Sequence, residues 1–324
     1  MTQPRVPTRR KRLATVGGFA AILLWSLTVA FTRRLSEQLG PVTGATCAFA
    51  VAAILGVISM FYSGERRLKI IRLPYAYLFG CGFLFVCYML LLFLAVGLAD
   101  GRDQTLEVGL INYLWPALTL LFSVVILGNR AKWFLLPGTF LALSGIFLVL
   151  TSGSSVTRHA FVGNIASNPM AYLLALAAAI FWGLYSALTR KWAGGRGDGA
   201  VALFLTATAI VLLLINLFVK EPREWSVRSI IEAVVLGFAT FFAYSLWDNS
   251  MRVGNIVLVA AGSYLTPFFS TVVSCIYLSV IPSSQLWIGC GILIAGSMIS
   301  WFSVYENESG KISPSPLKKI KRQL

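Results

Sequence analysis

Apolar residues in this chain come in long unbroken runs separated by short polar punctuation, with neither the alternation of strands nor the stripe of an amphipathic helix. Ten runs stand out: Leu13–Phe31, Pro41–Phe61, Pro74–Leu98, Val108–Leu127, Trp133–Leu150, Met170–Leu188, Ala200–Val219, Ile230–Trp247, Ile256–Val280 and Leu286–Val304. Each is eighteen to twenty-five residues long, and about 20 residues of helix cross the hydrocarbon core of a bilayer. Membrane barrels are excluded, because their strands alternate over about ten residues. Nine runs hold no Asp, Glu, Lys, Arg or His, and the exception, Glu232, stands at the start of the eighth. The breaks are short, as at Gly40-Pro41, Gly128-Asn129 and Pro282-Ser283, or longer, at Ala99–Glu107, Thr151–Pro169 and Lys220–Ser229. The pattern predicts an all-α integral membrane protein of ten transmembrane helices. The first run follows Arg9-Arg10-Lys11-Arg12 but is too long for a leader's apolar region, so it is read as a retained helix.

Composition agrees: 57% of the 324 residues are hydrophobic and 12% charged, where a soluble domain carries about 25% charged residues. The net charge of +15 would suggest nucleic acid in a soluble chain, so its placement decides. With ten spans the termini share one side with the loops after spans 2, 4, 6 and 8. That side holds 20 Lys and Arg and the other 7. The positive-inside rule then puts both termini in the cytoplasm. The excess is topological, and no nucleic-acid partner is expected. The five cysteines (Cys47, Cys81, Cys87, Cys275, Cys290) lie inside apolar runs and read as small packing residues.

The two halves repeat. A shift of 157 residues sets Trp25 on Trp182, Leu27 on Leu184, Ala30 on Ala187, Gly80 on Gly237 and Gly97 on Gly254. Beyond the third run the shift becomes 151, setting Tyr113-Leu114 on Tyr264-Leu265, Pro116 on Pro267, and Gly138 and Gly145 on Gly289 and Gly296. Five spans per repeat is an odd number, so the second half enters the membrane from the opposite side. That is the inverted-topology architecture of carriers that alternate access around a site at the repeat interface. The divisions are a basic cytoplasmic N-terminus at 1–12, repeats at 13–151 and 170–304, a periplasmic connection at 152–169 and a basic cytoplasmic tail at 305–324.

With Trp in the first and sixth spans and Pro in the fourth and ninth, this 5+5 pattern resembles the drug/metabolite transporter superfamily and its EamA-type repeats. The segment Asn112-Tyr113-Leu114-Trp115-Pro116 resembles the YddG-type branch, the aromatic amino acid exporters. The resemblance implies a bacterial inner-membrane carrier that exports amino acids.

The residues themselves restrict the cargo. Ionisable side chains within spans cost about 2.5–3.5 kcal/mol each on insertion scales and persist chiefly for function. Phosphorylated cargo should need Lys or Arg inside the spans, and none is there. A zwitterion or neutral solute fits better. Polar stripes recur at helical spacing: Asn112, Trp115 and Thr119 in the fourth run, Ser263, Thr266 and Ser270 in the ninth. Pro116 and Pro267 each release a backbone carbonyl one turn earlier, at Asn112 and Ser263, and both are read as helix breakers beside a cavity. An aromatic wall would stack a ring or attract an ammonium. The candidate substrate-binding set is Trp25, Tyr88, Asn112, Tyr113, Trp115, Trp182, Tyr185, Tyr244, Ser263 and Tyr264, with Trp115→Ala and Trp182→Ala expected to impair transport and spare folding. Gly44, Ala48, Ala52 and Gly56 form a small-residue stripe for helix packing. No catalytic residue, metal or cofactor is expected, because the runs hold no His or carboxylate cluster, no His-Glu-x-x-His and no Gly-x-Ser-x-Gly. The expectation is a monomeric carrier in contact only with lipid and its small-molecule substrate, driven by the substrate gradient. The rival is a proton-coupled exporter of drugs or other metabolites, for which Asp248, Glu107 and Glu232 are the candidate carriers. All three are read as boundary charges.

Overall fold

A computed structural model describes residues 7–62, 73–151, 158–195, 199–221, 223–278 and 284–305. The basic tail at 306–324 and the first six residues lie outside the described residues, as does part of the connection at 152–169.

Without water to satisfy peptide groups, an apolar run closes its own hydrogen bonds as helix, and the described chain is helical almost throughout. The helices are α1 (Thr8–Leu39), α2 (Pro41–Tyr62), α3 (Ala76–Gly97, opening with a π turn over Ala76–Cys81), α4 (Gly101–Asn112), α5 (Trp115–Leu127) and α6 (Leu135–Leu150). They continue as α7 (Arg158–Ser167), α8 (Pro169–Ala193), α9 (Val201–Asn216), α10 (Val227–Val253), α11 (Ile256–Gly262), α12 (Thr266–Leu278) and α13 (Ser284–Ser303). Six helical segments are long and apolar enough to cross a membrane: Pro41–Tyr62, Ala76–Gly97, Gln104–Leu127, Pro169–Ala193, Val227–Val253 and Ser284–Ser303. Three shorter apolar helices cover Leu135–Val149, Val201–Asn216 and Ile256–Ser270. Large apolar side chains face outward on these helices, among them Phe79, Val125, Phe140, Ile210 and Phe242, as a lipid solvent requires.

The structure corrects the sequence reading in several places. The supposed loop Ala99–Glu107 is helical from Gly101, and the connection before Pro169 contains α7. The all-helical expectation fails at one small ladder, where Arg130–Ala131 (β1) pairs antiparallel with Val304–Tyr305 (β2). Asp248 and Arg252 are no boundary charges: both lie inside α10, 1% and 3% exposed. Glu107 is buried too, where the Tyr172 hydroxyl donates to it and the Asn164 amide reaches its oxygens at 3.1 and 3.2 Å. Glu232 is 5% exposed and is met by Arg228 at 3.0 Å and Arg34 at 3.6 Å. The small-residue stripe on α2 does serve packing, but it is divided among neighbours, Gly44 facing Leu35 of α1 and Gly56 facing Ala202 of α9.

Two breaks interrupt the helices at repeat-equivalent points. α4 stops at Asn112 and α5 starts at Trp115; α11 stops at Gly262, and a 3-10 turn over Ser263–Leu265 leads into α12. In each case the following helix has a proline in its first turn, Pro116 or Pro267, where its missing N–H is harmless within that helix but cannot bond the carbonyl four residues back.

The α6–α13 seam needs glycine. A methyl on Gly145 or Gly289 would meet the other's carbonyl oxygen, and one on Gly296 would meet that of Gly138. The 151-residue shift exchanges the pair Gly138·Gly296 with Gly289·Gly145, so the contacts follow a two-fold relation. Val at 296 would run into the backbone of Ala142, and overpacking costs about 1–3 kcal/mol or more where backbone is the obstacle. Gly296→Val is expected to cut the yield of monodisperse protein in detergent sharply, as size-exclusion chromatography would show.

Candidate functional site

The site follows from where aromatic side chains meet inside the bundle. α1 contributes Trp25, α5 Trp115, α8 Trp182 and α10 Trp247, and their rings form one cluster. Trp25 packs on Trp247 (5.2 Å between centroids), Trp182 (5.8 Å) and Trp115 (6.3 Å), and Trp115 packs edge-on to Trp247 at 5.3 Å. Tyr88 of α3 lies against Trp182 at 4.6 Å and Tyr244 of α10 against Trp25 at 5.4 Å. Offset and edge-to-face pairs of this kind contribute about 0.5–1.5 kcal/mol each beyond their burial, so the cluster is a stiff partition across the bundle.

Against this partition lies a cavity of about 250 Å³ lined by Trp25, Tyr88, Leu92, Asn112, Tyr113, Trp115, Trp182, Tyr244 and Thr266. The break between α4 and α5 delivers three of these residues at once, because ending one helix at Asn112 turns Asn112, Tyr113 and Trp115 toward the same space. The cavity is uncharged. Its most reactive polar atom is the Asn112 amide oxygen, buried with no hydrogen-bond partner among the described residues. A buried acceptor left unmet costs about 1–3 kcal/mol, and here it faces space rather than packed protein.

Seven of the ten expected residues share this cavity: Trp25, Tyr88, Asn112, Tyr113, Trp115, Trp182 and Tyr244. Three do not line it. Tyr185 is fully buried one turn past Trp182, and its hydroxyl donates to Asp248 Oδ1 at 3.0 Å. Ser263 is buried within the 3-10 turn, and its hydroxyl donates to the Ala260 carbonyl at 2.6 Å. Tyr264 is fully buried in the core. The two breaks therefore differ in use. The Ser263 carbonyl that Pro267 cannot bond accepts the Thr266 hydroxyl at 2.7 Å, whereas the first break opens onto the cavity. Sequence reasoning missed Leu92, Thr266 and the place of Trp247 in the partition. Trp247 shares a helical face with Tyr244, a usable signal. Burial also changes what Trp182→Ala would report. Trp182 is 2% exposed, and such a truncation costs about 3–5 kcal/mol, so it tests stability as much as transport.

Beneath the partition, toward the face on which α1 starts, lies a buried polar cluster. Asp248 accepts from Tyr77 of α3 (2.7 Å), Tyr185 of α8 (3.0 Å) and Arg252 Nε one turn along its own helix (2.7 Å). The backbone N–H of Ala200 donates to the Tyr77 hydroxyl at 3.1 Å. Arg190 donates to the carbonyls of Met251 and Gly254, fastening the end of α8 to the end of α10.

The chain matches the EamA-like transporter family twice, over residues 12–151 and 169–302. It is 34% identical to the aromatic amino acid exporter YddG of Escherichia coli over 91% of this chain and 98% of that one. The aromatic amino acid exporter YddG of Ancylobacter novellus is 31% identical, with 89% and 96% covered. A probable terminal-alkyne amino-acid exporter of Streptantibioticus cattleyicolor is 25% identical over 57% of this chain and 60% of its own length. A crystal structure 28% identical in sequence superposes with a TM-score of 0.74 over 90% of this chain and 98% of the other.

Proposed function

The chain belongs to the EamA-like transporter family, and from that membership we propose that it exports amino acids, aromatic ones included, across a bacterial inner membrane by alternating access around the Trp-walled cavity. Ten spans in a 5+5 inverted repeat, α4–α5 and α11–α12 each counting as one broken span, would place both termini in the cytoplasm. The exchange of glycine contacts between α6 and α13 and the two matches to one family model support the repeat. The relatives named as amino acid exporters support the cargo class.

The observation that carries the reading is the unmet Asn112 oxygen in an uncharged, indole-lined cavity. An amino acid's ammonium is a donor for that oxygen and a cation for the indole faces, and its side chain can lie along aromatic walls. About 250 Å³ falls below the roughly 300–1,000 Å³ of drug-sized sites, which favours a small metabolite over a drug. The walls hold no counter-charge for a charged side chain, so recognition rests on the groups all amino acids share and the range is broad. Asp248 already holds Arg252, Tyr77 and Tyr185, so export runs down the amino acid gradient.

Efflux from loaded proteoliposomes tests this directly. Phenylalanine, tryptophan and threonine are each expected to leave faster than from protein-free liposomes, with no response to an imposed pH gradient. Transport of one amino acid alone would overturn the breadth, uphill movement driven by protons would overturn the energetics, and no amino acid flux would overturn the cargo class.

A further inference from the structure

The cluster around Asp248 divides by repeat in a way that recognising substrate does not require. Asp248, Arg252, Tyr185, Arg190 and Ala200 all belong to the second half of the chain, and Tyr77 alone comes from the first. We propose that the Tyr77–Asp248 hydrogen bond is a latch that closes the first repeat onto the second on the face where α1 starts, and that opening this face consists of withdrawing the Tyr77 hydroxyl. The inference rests on the alternating-access reading, in which one repeat rocks against the other.

The energetics single out Tyr77 as the separable contact. Asp248 and Arg252 are one turn apart on α10, so the pair travels as a neutral unit and no buried charge is stranded when the face opens. Breaking that pair would instead leave an uncompensated charge in the bundle. Arg190 keeps α8 on α10, so Tyr185 also moves with the carboxylate it serves. Tyr77 has no such tie to Asp248 beyond its hydroxyl, which also accepts from Ala200. A hydrogen bond to a charged acceptor is strong enough to bias a two-state population about tenfold or more.

Position connects the latch to the cavity. Trp247 of the partition precedes Asp248, and Trp182 lies one turn before Tyr185, so partition and latch share α8 and α10. A crevice of about 350 Å³ already lies beside the ion pair, bounded by Ser59 of α2, Val201 of α9 and Asn249 of α10. The device is also one-sided. In the 157-residue frame the counterparts of Asp248 and Arg252 on α3 are Leu91 and Ala95, which can form no such bond. Two otherwise equivalent halves are thus biased toward the conformation closed on this face.

Cys81 supplies a native reporter, since it lies one turn beyond Tyr77, is fully buried and takes the Thr189 hydroxyl of α8 at 3.6 Å across the same interface. With Cys47, Cys87, Cys275 and Cys290 replaced by alanine, its alkylation by a membrane-impermeant maleimide would be timed in inside-out and right-side-out vesicles. Tyr77→Phe is expected to raise the rate about tenfold or more from the face on which α1 starts. Tyr185→Phe, which removes a hydroxyl from the same carboxylate but within one repeat, should stay within about twofold of the parent. Gly199→Ala is a second route, because a methyl there would run into the Asp248 carboxylate, and it should also raise labelling. Equal rises for Tyr77→Phe and Tyr185→Phe would reduce the cluster to packing. Parent-like labelling in folded Tyr77→Phe, or in Gly199→Ala should Tyr77→Phe fail to fold, would overturn the latch. Labelling needs no substrate, so a failure of amino acid efflux with this contrast intact would count against the cargo and not against the latch, and the vesicle orientation that labels reads the topology separately.

Discussion

Asn112→Leu is expected to slow amino acid efflux by about ten- to a hundredfold while leaving the protein at least as stable as the parent. The two effects have opposite signs for one reason. The Asn112 amide oxygen is buried without a partner among the described residues, a state that costs about 1–3 kcal/mol. Leucine has similar bulk and no polar atom to strand, so the resting protein loses nothing. The transported ammonium does lose an acceptor, and hydrogen bonds to charged groups contribute about 1.5–3 kcal/mol, which converts to the stated range. Efflux of phenylalanine and threonine from proteoliposomes and thermal unfolding in detergent would be measured on the same preparation. Efflux at the parent rate would remove Asn112 from the site. A fall in stability parallel to the fall in efflux would make it a structural residue.

Asp248→Ala is expected to be the most destabilising single change in the bundle interior. It leaves the Arg252 guanidinium, 3% exposed, with its charge uncompensated, and removing one partner of a buried pair costs about 3–5 kcal/mol. Two tyrosine hydroxyls lose their acceptor at the same time. The compensating variant is Asp248→Asn combined with Arg252→Met. It removes both charges, keeps a side-chain oxygen for Tyr77 and Tyr185, and retains apolar volume along α10. Its unfolding temperature in detergent should recover most of what Asp248→Ala loses. Failure to recover would mean that the charge itself, and not its pairing, is what the fold uses at this position.

The ten apolar runs are visible in the sequence because lipid is a uniform demand: every spanning residue must be apolar or partnered, and every peptide group must bond within its own helix. Such a rule is written locally, residue by residue. The glycines of the α6–α13 seam and the paired prolines are legible for a related reason, since the repeat prints each twice. The misreadings have a common source. α4 begins within polar residues because its Asp, Gln and Glu side chains find partners in α7 and α8, as Glu107 does in Tyr172 and Asn164. Composition cannot register partners more than fifty residues away. Asp248 looked like a boundary charge for the same reason.

The candidate site divides along this line. That aromatic and uncharged polar side chains would face one another, and that Asn112 and Pro116 would mark a break, followed from spacing and from the chemistry of proline. The sequence could not say which repeat would keep its broken helix open to a cavity. The Ser263 carbonyl meets Thr266 within its own turn, and the Asn112 amide oxygen meets nothing. Nor could it separate Trp182, on the cavity wall, from Tyr185, three residues later and bonded to a carboxylate beneath the partition. Helical period places both on nearly one face, and only the packing of α3 and α10 against α8 decides which space each side chain enters. Membrane insertion is an additive property of single residues and is therefore determined by the sequence alone. A cavity and its closure depend on side chains converging from several helices, and that geometry exists only once those helices have packed.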